Sequence, residues 1–211
     1  MKHIKLFEQF ISEEETPKLS AKDIFIPRRL KERWDDLLLP YLNKGYTKEQ
    51  IFIAKPFNKD MLITKNNIED FKNIKVIISN VRIKEINDLR ELNIEEVVGN
   101  FDCSNTNLTS LEGAPMTVNG YFSCFYNKLT SLEGAPVTVN GYFYCSNNKL
   151  TSLEGAPVTV NGGFDCSYNY LTSLEGAPTT INGWFDCSNN TKKFTKKEVI
   201  EVIDVKEDVY V

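Results

Sequence analysis

From residue 99 onward the apolar positions recur on a fixed beat of 21 residues. Phe101, Phe122, Phe143, Phe164 and Phe185 are each followed two positions later by Cys103, Cys124, Cys145, Cys166 and Cys187. A spacing of two puts both side chains on one face of a short strand. Paired leucines come next: Leu108/Leu111, Leu129/Leu132, Leu150/Leu153 and Leu171/Leu174. Aligned this way, the units span residues 99–119, 120–140, 141–161 and 162–182, and a partial fifth begins at Gly183. A unit this short cannot bury its own apolar face, so the constant period predicts coils stacked as a solenoid. The phenylalanine, cysteine and leucine columns are expected to point inward.

The polar and special positions predict the corners. Thr106, Asn127, Asn148, Asn169 and Asn190 follow each cysteine by three, a column where a buried amide can bond the turn backbone and the adjacent coils. Gly113, Gly134, Gly155 and Gly176, each two residues before a proline, impose a bend. The pairs Asn119/Gly120, Asn140/Gly141, Asn161/Gly162 and Asn182/Gly183 predict a turn with positive φ immediately before the strand. Each coil therefore reads as strand, turn, short extended piece and bend, too short for a full α-helix.

Both ends of the array depart from this wording. Val76, Ile78, Val81, Ile83 and Ile86 reproduce the offsets of Phe101, Cys103, Thr106, Leu108 and Leu111, predicting a degenerate first coil over residues 74–98. Its extra length, "NDLRELNIEEVV", is expected to form a helical turn or two. The solenoid would then run over residues 74–190, with a C-terminal cap over residues 191–211. There the leucine column fails at Lys192, and Thr195 with Glu198 forms a T-x-x-E capping box opening a helix through Val199, Ile200 and Ile203.

Residues 17–73 read as a small α/β cap region. Ser20 with Asp23, Pro27, and then Leu30, Trp34, Leu37 and Leu38 at helical spacing predict a helix that stops at Pro40. A second start signal at Thr47 precedes two apolar runs, Ile51 to Ala54 and Met61 to Thr64. Trp34 reads as a core residue. Residues 1–16 place Ile4, Phe7 and Ile11, with Leu6 and Phe10 beside them, along one side of an amphipathic leader.

Composition removes several functions. Residues 99–190 hold two lysines, Lys128 and Lys149, against seven acids, a net of −5, which opposes nucleic-acid binding. No apolar run approaches the roughly 20 residues needed to cross a bilayer, and no small-residue cleavage site follows the leader. A cytoplasmic location is therefore expected. The single histidine, His3, leaves little for nucleophilic triads or metal sites. No phosphate-binding loop or dinucleotide fingerprint is present. Five cysteines at one repeat position lack the paired short spacings of a disulfide framework or a zinc site, and read as small core residues. "NGGFDCSYN" touches the pattern of calcium-binding β-roll repeats, but Ser123 and Tyr144 occupy the aspartate column elsewhere. The column Glu112, Glu133, Glu154 and Glu175 reads as a solvated bend. No catalytic residue, metal site or cofactor is implied.

The F-x-C-x-x-N-x-L-x-x-L core resembles the leucine-rich-repeat pattern L-x-L-x-x-N-x-L-x-x-L. "LTSLEGAP" followed by "FDCSNN" is similar to a repeat found in proteins of tailed bacteriophages and bacteria. One departure is that Val139 and Phe143 stand four apart where three is typical, so a different turn is expected before the strand. The resemblance implies a fold of the α+β, repeat-solenoid class: a short leucine-rich-repeat-like parallel β solenoid with an N-terminal α/β cap and a C-terminal capping helix. It also implies a noncatalytic protein-binding scaffold rather than an enzyme. The leader resembles the segments that direct internal proteins into phage proheads, and Ile11-Ser12-Glu13 fits their cleavage pattern. This implies the alternative of a head-associated virion component.

The residues that vary mark the candidate binding surface. On a strand whose Phe and Cys point inward, the neighbouring positions must point outward. Tyr121, Phe125, Tyr142, Tyr144 and Trp184 stand there, where nothing in the coil requires aromatic rings. Tyr126, Tyr168 and Tyr170, in the following turn, are expected to extend the patch. Contiguous exposed rings of this kind mark protein interfaces, so a protein partner is expected on the outward strand face. A competing expectation is that the N-terminal region or the C-terminal tail covers that face.

Overall fold

The computed structural model describes residues 37–53 and 60–211. The leader, Trp34 and the helix start at Ser20 lie outside the described residues. The chain coils into a parallel β solenoid with two sheets of eight strands each. One sheet contains β1 (Ile51–Ile53), β3 (Val76–Ile78), β5 (Glu96–Val97), β7 (Thr117–Val118), β9 (Thr138–Val139), β11 (Thr159–Val160), β13 (Thr180–Ile181) and β15 (Asp204–Val205). The other contains β2 (Met61–Ile63), β4 (Val81–Ile83), β6 (Phe101–Asp102), β8 (Phe122–Ser123), β10 (Phe143–Tyr144), β12 (Phe164–Asp165), β14 (Phe185–Asp186) and β16 (Val209–Tyr210). Each coil thus gives one strand to each sheet. Between the bend and the Asn-Gly corner the chain forms a second strand that the repeat pattern does not predict, and its valine or isoleucine points into the core.

Register is set by identical residues lying over one another. Phe143 pairs with Phe122 and Phe164, and Val160 with Val139 and Ile181. The phenylalanine rings, all fully buried, follow one another at centroid distances of 5.0–5.9 Å. Removing one such ring costs about 3–5 kcal/mol in a packed core. The five cysteines are free and buried beside them. Four of their Sγ atoms lie near the carbonyl of the next coil, as Cys145 does with Asp165 at 3.3 Å.

The asparagine column closes the turn after each cysteine. Nδ2 of Asn148 donates to the carbonyls of Cys124 at 3.0 Å and Cys145 at 3.1 Å, and Oδ1 accepts from the Leu129 N–H at 3.0 Å. One buried amide therefore joins two coils and fixes the turn in its own. In the first unit Thr106 substitutes, its Oγ1 donating to the Cys103 carbonyl at 2.7 Å.

The Asn-Gly corners depart from expectation, because none of these eight residues adopts the left-handed conformation. Positive φ falls instead at the E-G-A-P glycines (76–91°) and two residues after each cysteine, at Asn105, Tyr126, Asn147, Tyr168 and Asn189 (53–57°). The corner needs glycine for closeness: a β-carbon on Gly141 would sit 2.7 Å from the Gly120 carbonyl carbon. Its asparagine has a different task. Side-chain amides join from coil to coil, Asn140 Nδ2 to Asn119 Oδ1 at 2.9 Å and Asn182 Nδ2 to Asn161 Oδ1 at 2.9 Å.

The solenoid begins earlier than residue 74. β1 and β2 lie in the stretch expected to form a separate α/β region, and each starts one of the two sheets. The register of the next coil is shifted by five residues from the expected one. Val81, not Val76, pairs with Phe101, and Val76 pairs with Glu96 in the other sheet. Residues 87–95 are irregular, with a turn at 90–91 and no helix, and Leu89, Leu92 and Ile94 are buried. The sequence offers two apolar alternations five apart, and the sheet that each one joins is decided by packing.

Residues 37–43 are helical, so the helix does not stop at Pro40. It ends at Gly45, whose φ of +95° permits a Schellman closure with Gly45 N–H to the Leu42 carbonyl and Tyr46 N–H to the Tyr41 carbonyl. Leu38 and Tyr41 pack with Ile51, Ile53, Val76 and Ile78. Lys44 pairs with Glu96 at 3.0 Å, and burial and Glu96 push the Tyr41 phenol up to about 12. This packing lies against the outside of the first sheet, at its entrance.

At the other end the expected helix is present over Lys196–Val202, with both bonds of the Thr195/Glu198 capping box made. Phe194, Val199 and Ile203 enter the core. The chain then adds β15 and β16, so the C-terminal segment extends both sheets by one more coil.

Candidate functional site

The outward face of the second sheet is built by alternation. In each strand the phenylalanine points inward, so the residues on either side of it point away from the core, Ser123 among them being covered by its neighbours. The positions before phenylalanine carry Tyr121, Tyr142, Gly163 and Trp184, and those after it carry Asp102, Ser123, Tyr144, Asp165 and Asp186. In the last coil Asp208 and Tyr210 flank Val209 in the same way, because Val209 pairs with Phe185.

Five of these side chains form one connected group of rings. Tyr121 meets Tyr144 edge-on at 6.0 Å, and Tyr142 stacks on Tyr144 at 5.9 Å. Trp184 lies 6.3 Å from Tyr142 and 6.4 Å from Tyr144, and Tyr210 meets Trp184 edge-on at 6.4 Å. Trp184 reaches Tyr142, two coils away, because the coil between them has Gly163 in that column. A β-carbon on Gly163 would fall 2.6 Å from Cδ2 and 2.7 Å from Nε1 of the indole. The indole therefore lies flat over the glycine.

Tyr142 and Tyr210 are 43% and 49% exposed, while Tyr121, Tyr144 and Trp184 are half-buried by their neighbours. Burial, with contributions from Tyr142 and Asp165, holds the Tyr144 phenol above its usual value. Burial, then Asp102, does the same for Tyr121. Both hydroxyls stay protonated at neutral pH and can donate hydrogen bonds.

The other expected residues stand apart from this group. Phe125 and Tyr126 contact each other edge-on at 5.7 Å. Tyr126, Tyr168 and Tyr170 project from the turn and are more than half exposed. Among the described residues no ring contact joins these four to the five-ring group. Tyr210 belongs to the group but lies beyond the repeat wording, in a tail whose only shared signal is an apolar residue before it.

The carboxylates on this face are unequally neutralised. Asp102 accepts from Arg82 Nε at 3.2 Å, and Arg82 also pairs with Asp60 at 3.3 Å. Asp165 and Asp186 instead bond the serine two residues on, through Oδ1 alone. The bend column Glu112, Glu133, Glu154 and Glu175 is fully outside, each residue exposed.

Among the described residues no cluster of His, Cys, Asp or Glu suits a metal ion, and no helix is long and apolar enough to cross a membrane. The described helix at residues 37–43 packs on the first sheet, and the C-terminal tail adds Tyr210 beside the rings as a strand. No family model, no curated protein and no solved structure matches the chain.

Proposed function

We propose that the protein is a noncatalytic binding scaffold that captures a protein partner on the outward face of its second sheet. The observation that supports this most is the connected group of Tyr121, Tyr142, Tyr144, Trp184 and Tyr210 on a flat, regular surface. Aromatic anchors in such groups dominate binding energy, because each ring adds large contact area with few torsions to freeze. The stacked coils supply rigidity, so the surface is organised before the partner arrives. Phe125, Tyr126, Tyr168 and Tyr170 would form the rim on one side.

A pull-down comparing the native chain with a Tyr142→Ala, Tyr144→Ala double variant tests the assignment. Loss of a specific partner with the coil array intact by circular dichroism is expected. Equal recovery on both chains refutes it.

The resemblance of the repeats to phage proteins, and of residues 1–16 to prohead-targeting segments, supports a second reading as a head-associated virion component. Mass spectrometry of purified particles finding no trace of the chain would end that reading.

A further inference from the structure

The partner's chemistry can be narrowed from the charges that border the rings; this step rests on the binding face proposed above. Asp165 and Asp186 are register partners on adjacent strands, so their α-carbons stand about 4.8 Å apart. Tyr144 is the register neighbour of Asp165 on one side, and Tyr210 that of Asp186 on the other. Asp208 stands one coil past Trp184 in the adjoining column. Among the described residues no lysine or arginine pairs with Asp165 or Asp186, whereas Arg82 already serves Asp102 and Asp60.

An apolar partner laid over these rings would strip water from two adjacent carboxylates and give nothing back. Removing a charge from water without a counter-charge costs several kcal/mol. The occupant must therefore bring positive charge to the same spot where it buries apolar surface. Arginine does both: its planar guanidinium bonds carboxylates through a fork and stacks on aromatic faces. The partly exposed indole of Trp184, over Gly163, lies within one strand of both carboxylates.

We propose that the face recognises an arginine-bearing extended segment of a partner protein, with a guanidinium bridging Asp165 and Asp186 and stacking against Trp184. The group from Tyr121 to Tyr210 spans four coil steps, about 19 Å. An extended segment of about six residues covers that length. The negative balance of residues 99–190, two lysines against seven acids, steers such a segment toward the array.

Fluorescence anisotropy of a fluorescein-labelled peptide of three Gly-Ser-Arg repeats, titrated with the full chain at low salt, tests this. Two counterparts carry Lys or Glu in place of Arg, and unlabelled cellohexaose serves as competitor. The native chain is expected to bind the Arg peptide most tightly and to ignore the Glu peptide and the sugar. Asp165→Asn with Asp186→Asn should weaken binding about tenfold or more, the range of a buried charged contact. Glu133→Gln with Glu154→Gln removes the same charge from the bend and should leave affinity within about twofold. Equal losses in the two double variants, absence of Arg-peptide binding, displacement by cellohexaose, or preference for the Glu peptide would each overturn the proposal. A natural partner lost with Tyr142→Ala/Tyr144→Ala but retained with Asp165→Asn/Asp186→Asn would overturn arginine recognition while leaving the face as the binding site.

Discussion

The indole of Trp184 rests on the α-carbon of Gly163, which leaves no room for even a methyl group beneath it. One residue without a side chain thus lets a tryptophan contact Tyr142, 42 positions earlier in the chain, at 6.3 Å. Replacing Gly163 with alanine should lift the ring off the sheet and break the group between Trp184 and Tyr142. Near-ultraviolet circular dichroism should change toward that of a Trp184→Ala chain while the far-ultraviolet spectrum holds. The added methyl should cost about 1–3 kcal/mol, as overpacking does, measured by urea unfolding.

The side-chain amide of Asn148 makes four bonds to the backbone, and alanine there should remove its bonds to two coils. The buried Leu129 N–H and the two cysteine carbonyls would lose a partner at once. A destabilisation of about 2–4 kcal/mol is expected, given about 1–3 kcal/mol for each buried polar group left unpaired. Unchanged urea midpoints in the Asn148→Ala chain would contradict the role assigned to this column.

Tyr126 and Tyr168 hold φ of 54° and 53°, a conformation that asparagine takes at the matching positions 105, 147 and 189. Left-handed backbone disfavours most side chains and suits asparagine better. Tyr126→Asn with Tyr168→Asn should therefore raise the melting temperature, by a gain of about 0.5 kcal/mol at each site. If these tyrosines form the rim of the binding face, the same variant should bind its partner more weakly. A stabilised chain with weaker binding is the signature to look for.

The thiol column makes the fold sensitive to alkali. Burial raises the pKa of Cys103, Cys124, Cys145 and Cys166, and pushes Cys187 up to about 12. In the unfolded chain a thiol ionises near 8.5. Because the folded values are the higher ones, the stability they contribute is complete below pH 8.5 and is lost as pH rises above it. Each thiol should add a slope of about 1.4 kcal/mol per pH unit. Urea midpoints measured from pH 7 to 10 should fall steeply, and Cys145→Ala should fall less steeply than the native chain.

The columns that face inward were readable because each is a single residue type on a constant period. Phe, Cys and Leu are buried as the spacing requires, and the Thr195/Glu198 box opens a helix where expected. Thr138-Val139 carries no strand signal in the sequence, since a strand with one inward residue shows no alternation. The first coil is ambiguous in the sequence, because Val76-Ile78 and Val81-Ile83 carry the same apolar spacing as Phe101-Cys103. The Asn-Gly corner misled because its dipeptide is common in turns, while here glycine answers to the crowding of the neighbouring coil. For the candidate face, the outward direction followed from the alternation. Which rings touch depended on Gly163 and on Tyr210, and the first of these was visible as a glycine in a column of aromatics.

The identical wording from Leu129 to Gly141 and from Leu150 to Gly162 has a consequence for how such a molecule changes over generations. Each coil rests only on its two neighbours, so loss or duplication of one 21-residue block leaves every inner column continuous. The same event resets the outer surface: without residues 141–161, Gly163 would lie beside Tyr121, and Trp184 would meet that tyrosine instead of Tyr142. Recombination between the copies can thus exchange one specificity for another in a single step while the scaffold stays folded.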